Sequence, residues 1–172
     1  MNPLKLIQKI YWKFIASPEK YARHIGVNIG HNNLMGKNHW SSEPYLITVG
    51  SNCQLTNCQI FTHGGGNVVR HKYPDFDCFG KVVIGDYVYI GTNALIMPGV
   101  TIGNNVLVAA GSVVTKSIPS GMVVAGNPAK KICTIAEYYE RNKAFDLHTK
   151  ALSNSAKKIV LLATNEEMFL KK

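Results

Sequence analysis

The chain has 172 residues and a formal net charge of +9 at pH 7, a length that suits one domain with a sizeable core. The positive charge lies at the two ends, while residues 21–129 are nearly neutral. This distribution argues against a nucleic-acid-binding protein, whose basic residues would follow the body of the domain. The four cysteines form no CxxC pair, and neither a signal peptide nor an apolar run of roughly eighteen residues is present. We therefore expect reduced thiols and a cytoplasmic protein.

Residues 1–20 form the first segment, and within it residues 3–16 have a helical apolar pattern. One stripe of that helix contains Leu4, Ile7, Tyr11, Phe14 and Ile15. We predict an amphipathic helix that ends at Pro18. It either covers the end of the segment that follows or makes peripheral contact with a membrane surface through Trp12 and the lysines.

Residues 21–132 form the second segment, which begins with a loose repeat of six residues. Val49, Leu55 and Phe61 are six apart, and they predict one or two irregular turns of a coil. Between Phe61 and Ile84 lie 23 positions, which is not a multiple of six. We therefore predict that residues 63–81 leave the coil as an excursion, a feature that is usually functional.

Residues 84–119 divide into six consecutive blocks of six. The first position of every block is aliphatic: Ile84, Ile90, Ile96, Ile102, Val108 and Val114. The fifth position is small or aliphatic: Val88, Ala94, Val100, Val106, Ser112 and Ile118. This period fits neither a helix nor a half-buried strand. It fits a parallel β-helix that has three flat faces per turn and the first-position aliphatics inside.

Residues 133–172 form the third segment, in which residues 134–150 and 155–170 have helical patterns. Thr134 and Glu137 match a capping box at the first helix. We expect these helices to close the other end of the coil or to bind a neighbouring subunit.

The repeat, together with the motif IFTHGGG…VVIGDYVYIG, resembles the hexapeptide-repeat acyltransferases, and in particular the branch that modifies capsular and surface polysaccharides. The resemblance covers residues 25–132. It implies an all-β fold, a left-handed parallel β-helix with flanking N- and C-terminal helices. It also implies a homotrimer that uses acetyl-CoA and a carbohydrate acceptor.

The same resemblance assigns two catalytic groups. His63 occupies the place of the general base, and neutral imidazole is suited to taking a proton from a hydroxyl group. The backbone N–H of Thr92 occupies the place of the oxyanion donor. No nucleophile motif such as GxSxG is present, so the implied reaction is direct transfer.

Further residues correspond to the cofactor and acceptor sites of the family. The implied cofactor-binding residues are Tyr89, Gly91, Thr92, Ala109, Ala110, Gly111, Thr115, Lys116, Pro128 and Lys130. Lys130 would meet a CoA phosphate. The implied acceptor-binding residues are Glu43, Tyr45, Asp75 and Asp77. The sequence departs from the family at Gly64, where many capsule-type relatives have Asp, and this change puts the orientation of His63 in question.

These expectations lead to an acetyl-CoA-dependent O-acetyltransferase that acts on a sugar hydroxyl of a surface polysaccharide or its precursor, in the cytoplasm or on the inner face of the membrane. Two alternatives are an acetyltransferase for a small acceptor (an amino sugar, serine or an antibiotic) and a non-catalytic β-solenoid scaffold. A third is a metal site like that of the γ-class carbonic anhydrases, formed by His63, His71 and a carboxylate. Arg70 and Lys72 beside His71 disfavour a cation, so no metal is expected.

Overall fold

The computed structural model describes Leu6 and residues 11–171. Most of the predicted N-terminal helix, residues 3–5 and 7–10, lies outside these residues. The chain forms two compact units, Met1–Ile135 and Ala136–Lys172.

The described part of the first unit contains fourteen short strands. In chain order they are β1 (Asn28–Ile29), β2 (Leu34–Met35), β3 (His39–Trp40), β4 (Ile47–Val49), β5 (Gln54–Leu55), β6 (Gln59–Ile60), β7 (Val82–Ile84), β8 (Tyr89–Ile90), β9 (Leu95–Ile96), β10 (Thr101–Ile102), β11 (Leu107–Val108), β12 (Val113–Val114), β13 (Met122–Ala125) and β14 (Lys130–Thr134).

Thirteen of these strands form three parallel sheets, which the chain visits in rotation from β1 to β12; Ile118 then makes a single bridge to Ile102 of sheet A before β13 joins sheet B. Sheet A contains β1, β4, β7 and β10; sheet B contains β2, β5, β8, β11 and β13; sheet C contains β3, β6, β9 and β12. We call one circuit through sheets A, B and C a rung. Hydrogen bonds join residues 20 positions apart in the first two rungs and 18 apart in the regular ones. The predicted three-faced parallel coil is therefore confirmed, with two irregular rungs before the regular repeat. The antiparallel pairing of β14 with β13 ends the coil.

The interior of the coil is the predicted aliphatic ladder. In the blocks from residue 84 to 119, every first and fifth position is at most 7% exposed. Burying one such aliphatic side chain is worth about 1.5–3 kcal/mol. Both positional assignments are confirmed.

One predicted interior residue is wrong. Ile60, not Phe61, is fully buried, because the second rung takes one residue fewer than six between Leu55 and its next inward position. Phe61 is half-buried, and its ring centroid lies 5.8 Å from that of His39.

The N-terminal helices also differ from the prediction at Pro18. Residues Tyr11–Ile15 form a π-helical turn, and a separate helix, α1 (Pro18–His24), follows. Ser17 caps α1 by accepting a hydrogen bond from the Lys20 N–H. Pro18 therefore begins a helix, because the first helical residue needs no N–H donor. α1 packs the buried Ala22 into the core at the open end of the coil.

The excursion leaves the coil after β6 and returns before β7. Its neck is an antiparallel bridge between His63 and Phe79, supported by a 2.7 Å hydrogen bond from the Gly80 N–H to the Thr62 carbonyl. It contains one short helix, α2 (Asn67–Arg70). No residue from 63 to 80 is buried. The predicted excursion is thus present. The spacing that predicted it was counted from Phe61, although the inward residue at that point of the coil is Ile60.

The second unit is helical and has no buried residue in its described part. α3 (Ile135–Asn142) starts at the unit boundary and is followed by a 3-10 turn, Lys143–Phe145. α4 (Asn154–Ala163) is followed by a second 3-10 turn, Glu166–Met168. Both helices are shorter than the helical patterns of the sequence. No helix in the described part of the chain has the length and apolar character needed to cross a membrane.

All four cysteines are free, as predicted. Cys53, Cys58 and Cys133 are buried, whereas Cys78 is exposed in the excursion. Desolvation by burial raises the pKa of the Cys58 thiol to about 12. This thiol is therefore a packing group, since the thiolate is the reactive form.

Candidate active site

The candidate general base stands where the coil opens into the excursion. We call the bend that follows each sheet C strand the C–A corner, and the bend that follows each sheet B strand the B–C corner. His63 lies at the C–A corner after β6, and Glu43 lies at the C–A corner after β3, one rung away.

Glu43 and His63 form a close pair. Oε2 of Glu43 lies 2.6 Å from Nδ1 of His63, and the two side chains are 17% and 37% exposed. An ionised carboxylate only accepts hydrogen bonds. The proton of the neutral imidazole is therefore on Nδ1, and the lone pair of Nε2 is left for a substrate.

Two buried hydroxyl groups hold the carboxylate in place. Oγ1 of Thr62 lies 2.9 Å from Oε2 of Glu43 and 2.8 Å from Oγ of Ser41. Partial desolvation by itself raises the pKa of Glu43. The hydrogen bonds from Thr62, Ser42 and His63 outweigh this effect and hold the pKa below its usual value. Glu43 therefore stays ionised beside the imidazole at neutral pH.

His63 and Glu43 line a cavity of about 350 Å³. Its other walls come from the excursion: Gly64, Gly65, Gly66, Asn67, Arg70, Asp77 and Phe79. The Phe79 ring lies 5.6 Å from the imidazole at an angle of 60°. Elsewhere in the lining, Nη2 of Arg70 lies 3.1 Å from Oδ1 of Asp77.

The structure places the four predicted acceptor-binding residues differently. Glu43 and Asp77 both line the cavity, and Glu43 also contacts the imidazole. Asp75 and Tyr45 are not among the described residues that line it. Tyr45 is 71% exposed on a 3-10 turn, Pro44–Leu46.

Six of the predicted cofactor-binding residues belong to sheet B or its B–C corner. Tyr89 lies on β8 and is exposed. Gly91, Thr92, Ala109, Ala110 and Gly111 lie at the corner, where the Gly111 N–H donates to the Thr92 carbonyl at 2.9 Å. A Cβ atom on Gly91 would lie 2.5 Å from the Ala110 nitrogen, so only glycine fits there. Thr92 is exposed, and its N–H donates to no acceptor among the described residues.

The remaining predicted cofactor residues lie elsewhere. Thr115 and Lys116 are exposed at the C–A corner of the last rung. Pro128 is exposed and follows a cis peptide bond, and Lys130 is the exposed first residue of β14. His63 and Thr92 are therefore at different corners of one coil, separated by a face made of sheet C.

Sequence reasoning missed several residues of this site. Ser41 and Thr62 orient Glu43, and Arg70 lines the cavity. The sequence did contain a signal for the first two, because Ser41 stands two positions before the corner carboxylate and Thr62 one position before the corner histidine, in a coil whose inward positions are mostly aliphatic. Within the described ranges, 6 and 11–171, no cluster of His, Cys, Asp and Glu side chains is arranged to hold a metal ion.

Comparisons with known proteins find relatives in one family of transferases. Residues 81–116 match the family described as "Bacterial transferase hexapeptide (six repeats)". The chain is 44% identical over 149 residues to Protein CapG of Staphylococcus aureus, an alignment that covers 84% of this chain and 87% of that protein.

Two further relatives have described activities. The Escherichia coli galactoside O-acetyltransferase is 32% identical over 135 residues, which cover 77% of this chain and 64% of that enzyme. A crystal structure of a maltose O-acetyltransferase from Clostridium difficile 630 superposes with a TM-score of 0.58 at 28% identity, covering 76% of this chain and 83% of that one.

Proposed function

This chain belongs to the hexapeptide-repeat acyltransferase family and is an acetyltransferase that uses acetyl-CoA; from that premise we propose that its acceptor is a sugar hydroxyl of a surface polysaccharide or its precursor. The observation that carries the proposal is the Glu43–His63 pair, 2.6 Å apart at the wall of a polar cavity. The coil is left-handed, as in the family, and the enzyme acts in the cytoplasm.

We further propose a homotrimer with sites between subunits. His63 and Thr92 lie at different corners of the same coil, so one chain alone does not place both beside one substrate. A closed ring of three copies sets the C–A corner of one coil against the B–C corner of the next. His63 then faces Thr92 of the partner subunit across the groove that holds CoA.

In this mechanism His63 acts as general base. Nε2 takes the proton of the acceptor hydroxyl while its oxygen attacks the thioester carbonyl carbon of acetyl-CoA. The carbonyl oxygen becomes an oxyanion, to which the Thr92 N–H donates a hydrogen bond. The intermediate then expels the CoA thiolate, which takes the proton from His63. Glu43 does not touch the reacting atoms; it orients the imidazole and stabilises its positive charge.

The CoA groove follows from the same arrangement. The close approach of Gly91 to Ala110 makes the B–C corner smooth, which supports its use as a path for pantetheine. Lys116 and Lys130 are exposed cations that suit the phosphates of the nucleotide end. Asn67, Arg70 and Asp77 make the wall of the acceptor cavity polar, and this favours a polyhydroxylated acceptor over an apolar one.

A thiol-release assay with acetyl-CoA and a panel of polysaccharide sugars tests the proposal. We expect sugar-dependent CoA release, and His63→Ala should reduce it about 10²- to 10⁴-fold while CoA affinity is unchanged. His71→Ala is the matched control, because His71 is exposed in the same excursion and its imidazole lies 3.0 Å from the Val68 carbonyl, outside the residues that line the cavity. Retained turnover in His63→Ala would remove the histidine from its role, and the absence of release with every sugar would refute the acceptor class.

A further inference from the structure

The side chain of Arg70 joins two parts of the excursion that line the cavity. Because no residue of the excursion is buried, hydrophobic packing does not fix its shape. Arg70 instead joins its two halves: Nε donates to the Phe76 carbonyl at 2.9 Å, and Nη2 donates to Asp77 at 3.1 Å. Asp77 also accepts from the Cys78 N–H at 3.1 Å.

The Gly-rich motif leaves room for the guanidinium group of Arg70. A Cβ atom on Gly66 would lie 3.2 Å from Nη2 and 3.4 Å from Cζ of Arg70. The guanidinium group therefore lies directly against the backbone at the start of α2. A Cβ atom on Gly64 would meet nothing within 4 Å, so that glycine leaves space beside His63 instead.

These bonds leave part of the hydrogen-bonding capacity of Arg70 and Asp77 unused. A guanidinium group has five N–H donors, and the bonds to Phe76 and Asp77 use two of them. Both contacts to Asp77 are made by Oδ1, so Oδ2 is left as an acceptor. Arg70 and Asp77 are 43% and 48% exposed, and both line the same cavity as His63.

On the basis of the proposed function, we propose that the Arg70–Asp77 pair selects an uncharged sugar residue as the acceptor. A hydroxyl group both donates and accepts, so vicinal hydroxyls satisfy a guanidinium and a carboxylate that lie side by side. Arg70 and Asp77 already neutralise each other, so neither the carboxylate of an acidic sugar nor the ammonium of an amino sugar finds an unpaired counter-ion there to offset its lost hydration. A charged acceptor also brings one like charge of the pair close, which rejects a ligand more strongly than a missing contact does.

The test uses three acceptors with the same ring: a methyl hexoside, the corresponding methyl hexuronide, in which a carboxylate replaces the 6-hydroxymethyl group, and the corresponding 2-amino-2-deoxy hexoside, in which an ammonium replaces the 2-hydroxyl group. Acetylation of each is followed by CoA release and by mass spectrometry of the product. For the native enzyme we expect kcat/KM for the neutral hexoside to exceed the other two values by at least about tenfold.

Asp77→Asn is the informative variant. Its amide oxygen still accepts a hydrogen bond from Arg70, so the contact between residues 70 and 77 remains while the negative charge is lost. We expect kcat/KM for the hexuronide to rise about tenfold relative to the hexoside. Arg70→Met should raise the KM for the hexoside about ten- to hundredfold, and Lys72→Met, whose ammonium lies over Tyr73 outside the cavity lining, should not.

The outcomes separate the two proposals. A change of charge preference in Asp77→Asn supports the selection of neutral sugars. Transfer to all three sugars with no change of preference overturns that selection and leaves the acetyltransferase proposal standing. No transfer to any sugar, with CoA still stabilising the protein in a thermal-shift measurement, overturns the proposed acceptor class itself.

Discussion

The regular rungs and the excursion follow opposite rules within one unit. From residue 84 to 119 the coil buries every first and fifth position of six, whereas no residue from 63 to 80 is buried. The coil is stabilised by stacked aliphatic side chains, and the excursion by backbone hydrogen bonds and the contacts of Arg70. We infer that the coil supplies stability and the excursion supplies chemistry, and the predictions that follow are designed to separate these two roles.

Truncation of the core should have the largest effect. Ile96 is fully buried, so Ile96→Ala should lower the free energy of unfolding by about 2–5 kcal/mol. Val68 is 73% exposed on α2, and Val68→Ala should change it by less than about 0.5 kcal/mol. Urea denaturation of both variants measures the difference. Equal losses would show that the excursion contributes to stability as the coil does.

Adding a methyl group at a glycine tests the same difference between the coil and the excursion. Gly91→Ala places a Cβ atom 2.5 Å from the Ala110 nitrogen in the next rung, so the backbone must shift at a cost of about 1–3 kcal/mol. Gly64→Ala meets no atom within 4 Å and should be neutral to within about 0.5 kcal/mol. Thermal unfolding of the two variants provides the test. A neutral Gly91→Ala would contradict the close stacking of the rungs.

Charge reversal at the start of β14 addresses cofactor binding alone. Lys130→Glu should weaken CoA binding about tenfold at low salt and by less at high salt, because screening reduces the contact between an exposed cation and a phosphate. Calorimetric titration at two salt concentrations measures this effect. Lys20→Glu on α1 is the control, and unchanged affinity in Lys130→Glu at low salt would refute the phosphate contact.

The smallest effect concerns the pH dependence of the Glu43 carboxylate. Its pKa in the folded protein is lowered, so it stabilises the native state above the ordinary carboxylate pKa and loses that contribution as the pH falls through the lowered value. Native protein should therefore melt above Glu43→Gln at neutral pH, and the difference should vanish in acid. A difference that grows in acid would show that the carboxylate is instead held protonated.

The coil could be predicted from the sequence because each of its positions is decided locally. The spacing that placed Ile84 and Val114 inside needs no knowledge of distant contacts. The prediction that Phe61 points inward was wrong because one side of an irregular rung is a residue shorter, and a fixed period cannot reveal that change. The prediction that a helix ends at Pro18 was wrong because a proline at the start of a helix and a proline after the end of a helix look alike in a single sequence.

The site was predictable only where it touches the repeat. His63 was proposed because a motif ends at it, and Asp77 because the following loop resembles that of the acyltransferase family. The contact between Glu43 and His63 depends on the stacking of one rung on another. The proximity of Arg70 to Asp77 depends on how an aperiodic segment closes on itself. Neither arrangement has a periodic signature, so the sequence alone did not indicate them.

The narrow neck between His63 and Phe79 means that the excursion is inserted into the coil at a single corner. Residues 64–78 begin and end at adjacent positions of one corner, so a different segment could replace them without disturbing the register of any rung. Exchange of this segment would change the wall beside His63 while keeping the same scaffold.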